Sequence, residues 1–94
     1  MNATLGRTLR KSMRKARVPF RQRMAANVVL MVPRMHRELE FAITEKAMAM
    51  GALPPEAALD SEGCYVGDFI DILDWFIENM DSIMEFILAI IAIF

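Results

Sequence analysis

The 94 residues contain a single cysteine, Cys64, and a single histidine, His36. One cysteine excludes a disulfide within the chain, and neither residue has a companion with which to build a metal site. His36 stands among Arg34, Arg37 and Glu38 and reads as a solvated side chain, while Cys64 reads as a free thiol in a loop. No glycine-rich phosphate loop is present, and no nucleophile has a base at motif spacing. The expectation is therefore a protein without catalytic residues, cofactor or metal. Asp60, Glu62, Asp68 and Asp71 have carboxylates at loop-like spacing, but Tyr65 occupies the position where a calcium loop needs glycine.

Charge is missing from each half in turn. Residues 1–37 hold ten Arg and Lys and no acid, whereas residues 38–94 hold all twelve acids and only Lys46. The net charge of −1 hides this division. It points to an anionic partner for the front of the chain, or to the two halves meeting. No secretory signal peptide is expected. The front shares the Arg-rich, acid-free composition of a mitochondrial transit peptide, with nothing to mark an end to it.

Glycine and proline are absent from residues 69–94, FIDILDWFIENMDSIMEFILAIIAIF. Asp68 is placed to cap this stretch, with Gly67 breaking the chain before it. Ile70, Leu73, Ile77, Met80, Met84, Ile87, Ile91 and Phe94 form an unbroken heptad seam. Phe69, Ile72, Phe76, Ile83, Phe86, Ile90 and Ile93 form a second seam beside it, interrupted by Asn79. Two adjacent seams are too wide for one partner helix. A third row, Asp71, Asp74, Glu78, Asp81 and Glu85, has no basic residue to offset it. Burying large apolar side chains contributes roughly 1.5–3 kcal/mol each, far more than the few tenths lost per like-charge pair. The segment must therefore be buried, and the open question is by what.

Earlier in the chain, residues 3–17 fit a basic amphipathic helix with a thin apolar line of Leu5, Leu9, Met13 and Ala16, ended by Val18-Pro19. Arg7, Arg10, Lys11, Arg14, Lys15 and Arg17 surround that line, and Arg21 and Arg23 continue the basic set. Residues 20–32 fit either a helix, with Met24, Val28, Met31 and Val32 on one side, or a short strand. Pro33 opens a new helix or kinks a continuous one. Residues 34–50 are helical, with Met35, Leu39, Ala42, Ile43, Ala47 and Met50 on one face and Gly51 as terminator. Residues 51–67 read as a Pro/Gly linker.

The predicted fold is all-α, with three to four helices and an oligomeric state. A long C-terminal helix over about 68–94 packs against a central helix over about 34–50. The organisation is a basic helical arm (1–37), a central helix and linker (38–67) and an association helix (68–94), together one small domain. The basic front is expected over the acidic row of its own chain or of a neighbour.

Three functional readings follow. The first is a non-enzymatic assembly protein, cytoplasmic or particle-associated, that self-associates or docks on a larger complex through its C-terminal helix. In style alone, without a shared motif, such a chain resembles phage-type accessory proteins. The second is a membrane-active oligomer of holin or small-channel type: a helix over 69–94 would be about 39 Å long and could face its acids inward. The third is nucleic-acid binding through residues 7–23, which hold eight basic residues but no recognition motif.

Overall fold

The computed structural model describes all 94 residues, as five α-helices and one 3₁₀ turn with no strand. The helices are α1 (Thr4–Lys15), α2 (Phe20–Met31), α3 (Pro33–Ala49), α4 (Leu73–Glu78) and α5 (Met80–Ile93). The 3₁₀ turn, Phe69–Ile72, precedes α4. α1 lies against the 3₁₀ turn and α4, while α5 packs on both α2 and α3.

α1 and α3 form where the sequence places them. Leu5, Leu9 and Met13 are buried along α1, with small Thr8 and Ser12 between them allowing close approach. The end of α1 is a Schellman turn: Val18 N–H bonds to Met13 C=O at 3.0 Å and Arg17 N–H to Arg14 C=O at 3.2 Å. That turn requires a left-handed residue, and Arg17 supplies it with φ 56°. Residues 20–31 are helix, not strand. Pro33 sits in the first turn of α3, after extended Val32 has separated it from α2. Gly51 takes φ 77° just past α3.

The long C-terminal helix is not continuous. It is divided into a four-residue 3₁₀ turn, the six residues of α4 and the fourteen of α5. Asn79 makes the second break, at φ −111° and ψ 22°. Its side-chain amide donates to Trp75 C=O at 2.9 Å, the local competition for backbone groups that disfavours asparagine inside helices. The break turns a rod with two seams into two short helices that face different neighbours. Phe69 and Phe76 meet edge to face, with centroids 5.8 Å apart, and join α1's apolar line in the core. Met80, Ile83, Met84, Ile87 and Ile90 belong to the same core with Ala26, Val29, Leu39 and Ile43.

Residues 51–67, read from sequence as a linker, are packed and hydrogen-bonded. Leu53 and Cys64 are buried, and Leu59 pairs with Tyr65 across a tight turn. Asp60 Oδ1 accepts from Glu62 N–H at 2.9 Å and from Cys64 N–H at 3.0 Å, and Gly63 completes the turn at φ 83°. Tyr65 lies across Gly67, where any Cβ would fall 2.2 Å from the phenol oxygen. The start of the chain is tied to this loop. Asn2 Nδ2 donates to Tyr65 C=O at 3.0 Å and to Gly67 C=O at 2.7 Å, and Asn2 Oδ1 accepts from Thr4 N–H at 2.9 Å. Phe69 N–H in turn bonds to Thr4 Oγ1 at 3.0 Å. Asp68 caps the 3₁₀ turn as expected, accepting from Ile70 N–H at 2.9 Å.

Candidate functional site

The heptad seam proposed for association is largely spent inside the chain. Met80, Met84 and Ile87 are buried, and Ile70, Leu73, Ile77 and Ile91 are half-buried. Only Phe94 at its end is exposed, beneath the guanidinium of Arg34 at 5.6 Å from the ring centre. The partner that the two seams demand is supplied by α1, α2 and α3.

The apolar surface left open lies mainly elsewhere. Phe20, Met24, Val28 and Met31 recur at spacings of four, four and three along α2 and are 66%, 49%, 47% and 78% exposed. At 100° per residue they span about 80° of the helix, opposite the buried Ala26 and Val29. α2 is thus apolar on both faces. Its outer line was visible in the sequence as one side of residues 20–32, but nothing in that stretch says which side the core takes. Val32, Ile93 and Leu88 are further exposed apolar residues.

The charged groups divide in the same way. Asp71, Asp74, Glu78, Asp81 and Glu85 are all exposed, and none has a basic partner within 4.0 Å. Of the basic set, Arg7 pairs with Asp68 at 2.7 Å. Arg10, Lys11, Arg14, Lys15, Arg17 and Arg21 are exposed and Arg23 is half-buried, all without a carboxylate partner. The basic front does not lie over the acidic row of its own chain. α1 turns its apolar line toward α4 and its charges toward solvent, because burying Leu5, Leu9 and Met13 outweighs exposed ion pairs of about 0–1 kcal/mol each. A groove of about 380 Å³ separates Arg17, Val18 and Gln22 from Ile77, Glu78, Asp81 and Met84.

His36 is buried, contrary to the solvated side chain expected. Its Nδ1 lies 3.5 Å from the carboxylate of Glu40, which is only 1% exposed and also accepts the Asn2 N–H. One turn of helix brings the two together as an i, i+4 pair, and Leu39 and Ile43 on the same helix carry them inward. Arg37 binds Asp60 at 3.4 Å and also pairs with Glu62, fastening α3 to the loop. Burial alone would lower the Arg37 pKa, but Glu62, Cys64 and Asp60 together raise it. The Asp60 carboxyl is held below its ordinary value, first by the Cys64 N–H, with Glu62 N–H and Arg37 adding to it against the effect of burial. Burial, then the nearby Asp60 charge, pushes the Cys64 thiol up, so little reactive thiolate forms.

No three His, Cys, Asp or Glu side chains converge as a metal set. No helix is long and apolar enough to cross a membrane, and residues 69–94, taken as one helix in the pore reading, are divided. Comparison with known proteins found no matching family model, no matching curated protein and no matching solved structure.

Proposed function

We propose that this chain is a non-enzymatic assembly protein whose occupant is a second copy of itself, joined through the outer face of α2. The observation that carries this reading is the line Phe20, Met24, Val28 and Met31, left in solvent by a domain whose core is otherwise complete. A continuous exposed apolar row on a small domain marks an interaction surface more often than scattered single residues do. Charge favours a like partner. Outside the α2 contact, the exposed acidic row of one copy complements the exposed basic face of the next, and apart from Arg7 neither is paired within its own chain.

The test is light scattering coupled to size exclusion on the full chain in buffer without detergent. A discrete oligomer is expected, weakening as salt rises. Met24→Asp and Val28→Asp should yield monomer with unchanged helicity, because both side chains lie outside the core. A monomer at every concentration before substitution overturns the proposal. Replacing Met84 would test folding and not association, since that side chain is buried.

A further inference from the structure

Where α1 crosses α2, three arginines come together with no acid between them. Arg10 and Arg14, one turn apart on α1, and Arg23 on α2 line a cleft of about 120 Å³ with Met13 and Asn27. We propose that this cleft binds a phosphate group, free or carried as the headgroup of a phosphomonoester lipid.

The cleft is arranged, not a chance meeting of long side chains. Arg10 Nε donates to Asn27 Oδ1 at 3.4 Å, which turns the amide so that its NH₂ is left as a donor. The Arg10 guanidinium folds back over Gly6, where a Cβ would stand 3.1 Å from Nη1. A glycine inside a helix is otherwise unfavourable relative to alanine, and here it leaves space for that guanidinium. Arg23 stands 5.6 Å from the centre of the Phe20 ring, and its Nε is shielded from solvent without any hydrogen-bond partner in the chain. A buried guanidinium N–H left unpaired is costly, and because Arg23 lines the cleft, a turn of its side chain onto a bound anion would relieve that cost. No carboxylate lies within 4.0 Å of any of the three arginines. The α1 dipole offsets only Arg14, which lies in the last turn; Arg10 lies a turn further in. The volume holds several waters, room for one tetrahedral anion. Guanidinium forks match the oxygens of such an anion two at a time.

The experiment titrates the full chain with inorganic phosphate, followed by amide chemical shifts and calorimetry. In parallel, the chain is sedimented with phosphatidylcholine vesicles with and without phosphatidic acid. Saturable binding in either arm is expected, the phosphate arm indicating a free ligand and the vesicle arm alone a headgroup. Arg23→Gln and Arg14→Gln should each weaken it about tenfold or more. Lys15→Gln, which removes the same charge outside the cleft, should change it less than about twofold. Circular dichroism on each variant separates loss of binding from loss of fold. Binding in neither arm, or equal weakening by Lys15→Gln and Arg23→Gln, overturns the proposal. Phe20, against which Arg23 lies, belongs to the proposed association face, so the titration is repeated on Val28→Asp, a monomer-forming variant outside the cleft lining, and binding retained there separates this outcome from self-association.

Discussion

The greasiest part of this chain is not the part that shows a continuous apolar line to solvent. Residues 69–94 carry two apolar seams, yet most of their large side chains are buried or half-buried against the chain's own α1, α2 and α3. α2 has fewer apolar residues and four polar ones, yet its outer line is open along the whole helix. The difference shows that exposure follows the number of surrounding elements more closely than the hydrophobicity of the segment. α4 and α5, divided at Asn79, can each be met by different helices. α2 already buries Ala26 and Val29, and no further element of the chain is left for its other side.

The sharpest way to break this comparison is to truncate one side chain from each region. In the monomer, at a concentration low enough to dissociate any oligomer, Phe76→Ala should destabilise the fold by about 3–5 kcal/mol, whereas Met24→Ala should stay within about 0.5 kcal/mol. Urea unfolding followed by circular dichroism measures both, and comparable losses would mean that α2's outer face is core. Asn2→Ala comes next, at about 2 kcal/mol, because it strips the amide that holds the loop carbonyls of Tyr65 and Gly67 just ahead of the C-terminal segment. Faster hydrogen exchange at the Phe69 amide should accompany it.

A gain is expected at the entrance to α2. Arg17→Gly should stabilise the chain by about 1 kcal/mol, since glycine accepts the left-handed turn without the Cβ penalty. A lower denaturation midpoint would show that the Arg17 side chain contributes more than its backbone costs.

The smallest effect concerns the caps that hold the C-terminal segment and its preceding loop. Asp68 is held below its ordinary value of 3.8, first by the Ile70 N–H and then by Arg7 against the effect of burial. Asp60 is lowered from the same value. Groups with depressed folded-state pKa values stabilise fully above the ordinary value and lose that contribution as pH falls through the folded one. Amide protection at Cys64, Glu62 and Ile70, with the intrinsic pH dependence of exchange divided out, should therefore hold steady down to about pH 4 and fall only below it. Loss of protection beginning near neutral pH would contradict the assignment.

Much of this was legible in the chain itself. The apolar line of α1, the limits of α3, the Asp68 cap and the stop at Gly51 each depend on residues within one or two turns. The burial of His36 was missed because Arg34, Arg37 and Glu38 beside it are charged, although its spacing of three and seven from Leu39 and Ile43 puts it on the buried face of α3. Nor was the bend at Asn79, since both seams continue in register across it. The arginine cleft required the crossing of α1 and α2, which juxtaposes residues whose sequence separation carries no motif.

By itself, the sequence determined that the molecule is helical, that its charge is divided between front and back, and that residues 69–94 have to be covered. Periodicity and local capping are properties of consecutive residues, so they survive in one dimension. Only the tertiary structure decided what does the covering. A stripe on a helix records that burial is favourable but not which surface provides it, and here α1, α2 and α3 took that place. The outer face of α2 and the arginine cleft were left to solvent.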